Sequence, residues 1–369
     1  TNLPGTGLTN VADGAMAWAD YDNDGDLDVL LSGDTNTYHT PDAFTALYRN
    51  DRGVFTNSGV VLPQLVKSAA VWGDYDNDGD LDLLIAGQTG SVAANSVTKL
   101  FRNDGNGVFT EVPVPFPGIT DCALAFGDFD NDGDLDFVMA GQGTNAAPLT
   151  RIYRNLGNGV FTNLAANFTG VTYASVAWGD YDNDGFADLA VSGATNNSPY
   201  GAAAAITSVY RNYGGNGFTN SGGTLPGVMM QNTSWGDADN DGDLDLLVGA
   251  RLVRNNWNVT NTAPTAPTNL SFAFLASGDV RLAWTRATDA QTTNASGLRY
   301  NLRIGTNAGG GQILAPHANS TNGYRRVPDF GNAGATNFWR IANLTNATYY
   351  WSVQAIDGGL AGSVFAAEQ

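Results

Sequence analysis

Short apolar runs, four to eight residues long and broken by Gly, Asn and Asp, fill the first two thirds of the chain. Residues 122–163 show the pattern: CALAFGD, LDFVMAG, TRIYRN and, after a GNG turn, GVFTN. Runs of this length between turn residues, without the three-and-four apolar spacing of a helix, predict strands. The same four runs recur around DYDNDGDLD at 20–28, DYDNDGDLD at 74–82, DFDNDGDLD at 128–136, DYDNDGFAD at 180–188 and DADNDGDLD at 237–245, spaced 54, 54, 52 and 57 residues apart. A period near 54 in five copies is a repeat architecture. Four short antiparallel strands per unit make each unit a propeller blade, so an all-β fold is expected, with a β-propeller of five four-stranded blades over about residues 11–261. The fifth unit is compressed, its fourth strand candidate being NVT at 258–260. Residues 1–10 read as the tail of a preceding unit that latches onto the last blade.

After Asn261 the repeat stops, and TAPTAPTNL leads into strands of different spacing: VRLAWTR from 280, LRYNLRIG from 298 and YYWSVQAID from 349. In the last, Tyr349, Trp351, Val353 and Ala355 alternate onto one face. Two domains are therefore expected, residues 1–262 as propeller and 263–369 as a β-sandwich.

Charge sharpens this picture. The 369 residues carry 36 acidic against 17 basic side chains, a formal charge of -19, which argues against nucleic acid as a partner. The acids are concentrated, 24 of them lying in the five nine-residue windows. A hard cation that needs six to eight oxygens can take them from alternate residues of one flexible loop, and calcium is that cation. Positions 1, 3, 5 and 9 supply carboxylates: Asp20, Asp22, Asp24 and Asp28; Asp74, Asp76, Asp78 and Asp82; Asp128, Asp130, Asp132 and Asp136; Asp180, Asp182, Asp184 and Asp188; Asp237, Asp239, Asp241 and Asp245. Position 7 is expected to give its backbone carbonyl, from Asp26, Asp80, Asp134, Phe186 and Asp243, and Phe186 fits that role because it has no side-chain oxygen. Gly at position 6 makes the sharp turn. An EF-hand would need Glu at position 12 and flanking helices, whereas position 12 here is Leu31, Ile85, Met139, Val191 or Val248, inside a strand. About five calcium ions per chain are expected. At about 1 mM ion, sites of extracellular-module affinity would contribute roughly 0.4 to 1.4 kcal/mol each. No acidic loop lies beyond Asp245, so metal removal is expected to spare residues 264–369.

The loops with their flanking strands resemble the FG-GAP or VCBS-type repeats of integrin α-subunit propellers and of many bacterial surface proteins. The resemblance covers about residues 11–261 and implies calcium in the loop joining the first two strands of each blade, held by positions 1, 3, 5, 7 and 9. Integrin propellers have seven blades; five units are visible here. Residues 264–369 resemble a fibronectin type III domain through Trp284, Tyr300 and TYYWSVQA.

Other features fill in the functional picture. Each unit ends its third strand in an Arg-Asn pair (Arg49-Asn50, Arg102-Asn103, Arg154-Asn155, Arg211-Asn212, Arg254-Asn255), read as an Arg that balances a carboxylate of its own unit. The aromatic before each loop (Trp18, Trp72, Phe126, Trp178, Trp235) reads as core between units. Cys122 cannot form an internal disulfide and reads as buried. Two histidines, His39 and His317, and no nucleophile-base pair give little material for catalysis. No run of eighteen apolar residues and no basic-then-apolar leader is present, so neither a membrane span nor an uncleaved signal peptide is expected. These features fit a non-enzymatic, secreted or surface-displayed adhesion or scaffold protein, and the resemblance implies a bacterial origin. A carbohydrate-binding or carbohydrate-processing protein and a subunit of an extracellular fibre, with successive chains packed head to tail, are the alternatives. An unidentified protein or glycan partner is expected on the face opposite the calcium loops. That face receives the unlike connections at 34–45, 88–98, 142–149 and 194–207, with Tyr38, His39 and Tyr200 as candidate contacts.

Overall fold

The computed structural model describes residues 7–36, 42–105, 107–157, 159–197, 204–257, 259–325 and 327–369. The candidates Tyr38, His39 and Tyr200 lie outside them. Among the described residues there is no α-helix, only strands and short 3-10 turns, and no helix long and apolar enough to cross a membrane. Four sheets are four-stranded antiparallel meanders: Ala12–Ala19, Asp28–Asp34, Ala43–Asp51 and Val54–Asn57; Val66–Gly73, Asp82–Gln88, Ser96–Asn103 and Phe109–Val112; Ile119–Gly127, Asp136–Gly143, Pro148–Asn155 and Phe161–Asn163; Thr172–Gly179, Asp188–Ala194, Ala205–Asn212 and Phe218–Asn220. The fifth has three strands, Thr233–Gly236, Asp245–Val248 and Arg251–Val253. Its expected fourth strand is absent from the described part of 258–260, and Asn258 lies outside the described residues.

The register is the same in all five sheets, the pre-loop aromatic facing the residue after the last loop Asp: Trp18 opposite Val29, Trp72 opposite Leu83, Phe126 opposite Phe137, Trp178 opposite Leu189 and Trp235 opposite Leu246. The second strands of the first four sheets are buried almost throughout, which is why they read as continuous apolar runs rather than alternating ones. Both of their faces are covered because the sheets follow one another in chain order, first strand beside first strand. Leu30 and Leu47 of the first sheet meet Leu83, Ile85 and Phe101 of the second around Leu62 and Leu65 of the connecting segment. Each such fully buried side chain contributes about 1.5–3 kcal/mol. The next junctions repeat this with Leu84 and Leu100 against Phe137 and Met139, with Val138 and Ile152 against Leu189 and Val191, and with Ala190 and Val209 against Leu246 and Val248.

Trp178 and Trp235 are buried in this core, Trp72 and Phe126 half-buried, while Trp18 is 49% exposed. Cys122 is half-buried rather than buried, with Sγ 3.8 Å from the Lys67 carbonyl. Leu8 packs on the first sheet, and Thr9 hydrogen-bonds Tyr48 there at 3.0 Å, so the described part of the leading segment covers the first sheet rather than latching onto the last.

Residues 264–369 form a three-stranded sheet (Thr268–Phe274, Val280–Thr285, Phe338–Ile341) and a two-stranded one (Arg299–Gly305, Tyr350–Ile356). They share one core, in which Trp284 meets Tyr300 edge-on at 5.3 Å and Trp351 at 6.5 Å. These strands sit across the acidic loops. Ala342 N donates to the Asn23 carbonyl at 2.7 Å, and Asp180 N to the Gly358 carbonyl at 3.1 Å.

Candidate metal centres

Each acidic loop connects the first and second strands of its sheet, and its backbone is folded by its own side chains. Asp20 accepts from Asp24 N through Oδ1 and from Gly25 N through Oδ2, both at 2.9 Å. Asp74, Asp128, Asp180 and Asp237 make the same pair of bonds. Position 5 turns back onto position 7, as in Asp24 Oδ1 accepting from Asp26 N at 2.9 Å. Gly at position 6 holds φ between 92° and 99° in all five loops, a region closed to side chains without strain. Asn at position 4 holds φ between 56° and 62°, the left-handed conformation that Asn tolerates best after Gly. Position 9 ends the loop inside the sheet: Asp28 accepts from Tyr21 N at 3.1 Å and from Asn50 N at 2.8 Å.

This folding brings carboxylate oxygens of positions 1, 3 and 9 within 4.8 Å of one another in the first, third and fourth loops, and of positions 1, 3 and 5 in the second and fifth. Asp22, Asp76 and Asp182, all at position 3, each bury one carboxylate oxygen that no protein group satisfies, a costly state for an acceptor. Burial raises the loop acids far above the ordinary carboxylate range: Asp20, Asp74 and Asp180 to about 7, Asp28 to about 8, Asp82, Asp136 and Asp188 to about 9, and Asp22, Asp130 and Asp182 to about 6. Converging, desolvated acids with a partnerless oxygen fit a hard cation, and these groups can hold a metal ion.

The Arg of each Arg-Asn pair balances acids of its own unit. Arg49 Nε lies 3.7 Å from Asp22, Arg154 Nη2 2.6 Å from Asp130, and Arg211 and Arg254 contact Asp182 and Asp239. Arg102 instead takes Asp104 at 2.7 Å. The Asn beside it does more than the sequence reading assigned. Besides donating its N–H to the position 9 acid, Asn103 sends Nδ2 to the Leu81 carbonyl of its own loop at 3.2 Å and to the Tyr21 carbonyl of the preceding loop at 2.7 Å. Asn155, Asn212 and Asn255 repeat this toward Tyr75, Phe129 and Tyr181.

The position 4 Asn, also unassigned by the sequence reading, reaches the other way. Asn23 donates to Asp80 at 2.6 Å, Asn77 to Asp134 at 2.8 Å and Asn183 to Asp243 at 3.1 Å. Asn131 has only the Gly185 carbonyl, at 2.7 Å, because Phe186 stands where the acid would be. Position 7 side chains of the second, third and fifth loops are thus engaged by the previous loop through one carboxylate oxygen each. Both signals were present in the sequence, as an invariant N in DxDNDG and in RN.

The C-terminal strands close over the loops. Arg299, nearly buried, is 3.5 Å from Asp128, and Arg340 is 3.2 Å from Asp80 and 3.0 Å from Asp279. A side chain on Gly79 would meet the Phe338 ring at 2.9 Å, and one on Gly185 the Gln291 carbonyl at 2.1 Å. Between the pre-loop aromatics and these strands lies a cavity of about 350 Å³ lined by Trp18, Trp72, Phe126, Phe330 and Trp339.

Sheet meanders with an oxygen-rich loop between their first two strands define a class of β-repeat with candidate metal centres. Residues 20–191 match the FG-GAP-like repeat family model, in windows 20–85, 74–139 and 128–191, each running from one acidic loop through the next and into the strand that follows it. The fifth loop, outside those windows, makes the same backbone hydrogen bonds, but its converging acids Asp237, Asp239 and Asp241 are exposed. No curated protein matches the chain. Among solved structures, a fungal alcohol oxidase of the AA5 family, in complex with copper, aligns at 11% identity over 97% of this chain and 76% of its own, with a TM-score of 0.40. The V. cholerae biofilm matrix protein Bap1 aligns at 12% identity over 97% and 73%, with a TM-score of 0.34.

Proposed function

We propose that the protein is a non-enzymatic adhesion or scaffold protein of the extracellular space, in which five calcium ions order a row of five propeller-type blades (residues 1–262) carrying a fibronectin type III-like sandwich (263–369). The observation that carries the reading is the buried, partnerless carboxylate oxygen at position 3 of the first, second and fourth loops. Without a cation it costs about 1–3 kcal/mol per loop. Calcium is favoured over magnesium because a flexible all-oxygen loop of alternating residues suits its larger, less regular shell. Positions 1, 3, 5 and 9 then give carboxylates and position 7 its carbonyl, with Phe186 supplying the same atom as the four acids there. Five ions would bring the formal charge from -19 to -9. The chain's role is then to present surfaces at fixed spacing, and the unlike connections on the face away from the loops are the place for a protein or glycan partner. Elemental analysis after dialysis at millimolar calcium is expected to return five ions per chain, and Asp182→Asn should lower the count to four. A count of two or fewer overturns the reading.

A further inference from the structure

Every junction between successive sheets is built from two halves. The earlier sheet offers a cross-strand apolar pair (Leu30 and Leu47; Leu84 and Leu100; Val138 and Ile152; Ala190 and Val209), and all eight side chains are buried by the sheet that follows. The later sheet offers its pre-loop aromatic and the Asn of its Arg-Asn pair. That Asn takes the position 2 carbonyl of the earlier loop, and Trp178 and Trp235 donate their indole N–H to the Ala125 and Ala177 carbonyls at 3.3 and 3.2 Å.

Two halves are left over. On the fifth sheet the pair equivalent to Leu30 and Leu47 is Leu247 opposite Leu252, 43% and 48% exposed. Beside it Ser234 and Ala238, whose carbonyls would serve the next sheet, are exposed too. On the first sheet Leu8 covers the part of this face formed by Val29, Leu31, Ala46 and Tyr48, while Met16 and Trp18 beside it stay 63% and 49% exposed. Among the described residues Asn50 Nδ2 donates only to Leu27, whereas its four equivalents each have a second acceptor in the preceding loop.

We propose that these two faces recognise each other between copies: the fifth sheet of one chain docks on the first sheet of a second, making a fifth junction of the kind already present four times within the chain. Leu247 and Leu252 would pack on Met16 and Trp18, the Trp18 indole would donate to the Ser234 carbonyl, and Asn50 to the Ala238 carbonyl. The occupant follows from the complementarity: one end carries the donor half and the other the acceptor half of an interface the molecule has already solved. Such a contact is heterologous, so it propagates head to tail until the rotation closes a ring or leaves a filament.

Two variants at exposed positions test it, Leu247→Asp with Leu252→Asp to block one face and Met16→Asp to block the other, each checked for native circular dichroism and calcium content. Sedimentation velocity across a concentration series should show wild-type mass rising above the monomer and each variant alone staying monomeric, association weakened at least about tenfold. Mixed one to one, the variants retain one good face each and should form dimers that grow no further. A wild-type chain that stays monomeric throughout, or variants that associate as the wild type does, overturns the proposal.

Discussion

Desolvation governs how the loop aspartates respond to pH. In an unfolded chain they titrate near 4, whereas in the fold without metal burial lifts ten of them to between about 6 and about 9. Across that window the native state holds more protons than the unfolded one, so the stability they provide is complete at acid pH and is lost as pH rises through their folded values. A bound cation reverses the sign, because it needs the carboxylates deprotonated and is released as they protonate. Metal-free protein is therefore expected to melt at a lower temperature at about pH 8 than at about pH 5.5, and millimolar calcium to raise the melting temperature more at the higher pH. Scanning calorimetry at both values, with and without calcium, checks this; equal metal-free melting temperatures would refute it. The acids themselves were legible in the sequence because they repeat. The partnerless oxygen of Asp22 or Asp182 was not, since its isolation depends on Arg49 or Arg211 arriving from a strand more than twenty residues away.

At the level of the strand and loop, the Asn that ends each third strand ties three backbones together. Asn155 is fully buried, and its Nδ2 bridges the Tyr75 carbonyl, 80 residues away in sequence, to that of Leu135. Asn155→Ala removes both bonds and the one that Oδ1 accepts from Gly157 N, and it strands the buried Tyr75 carbonyl and the half-buried Leu135 carbonyl, an expected loss of about 2–4 kcal/mol. Asn50→Ala, which lacks the inter-sheet bond, is expected to lose about half as much. Urea unfolding at saturating calcium separates the two; equal losses would mean the inter-sheet bond contributes nothing. Strand positions and meander order were legible from apolar runs and a fixed period. The Asn contacts were not, because a polar residue at a strand end gives no periodic signal of what it touches, and RN was read for its charge.

Across the whole molecule, the repeat region and the C-terminal strands are coupled more tightly than the composition change after Asn261 suggests. The sequence placed no acid loop beyond Asp245 and led to the expectation that metal removal spares residues 264–369. The structure docks those residues on the loops, through Arg340 on Asp80, Arg299 on Asp128 and Ala342 on Asn23. Pairs such as Arg340 and Asp80, 260 positions apart, have no signature in a single sequence. Removing metal is now expected to raise hydrogen exchange at the docked edges, around 291–299 and 338–342, along with the loops, while the Trp284–Tyr300–Trp351 core stays protected. Exchange confined to residues 11–261 would show that the docking contacts are independent of the loops.

The Asn side chains that run from each loop to the next also form a load path. A pull that separates neighbouring sheets is resisted at the loops first, where Asn23 holds Asp80 and Asn77 holds Asp134, and only afterwards by apolar contacts that slide apart more easily. The link from Asn131 to Gly185 has a single bond, so of the position 4 Asn links the one between the third and fourth sheets is the weakest in tension. Stretched from its ends, the chain should yield in steps, each freeing one sheet's worth of about 54 residues or roughly 180 Å of slack. The first rupture should fall at that link, at a force that rises with calcium. Single-molecule extension in calcium and in chelator would read this directly, and for a protein that bears load between surfaces the ion would set its breaking strength.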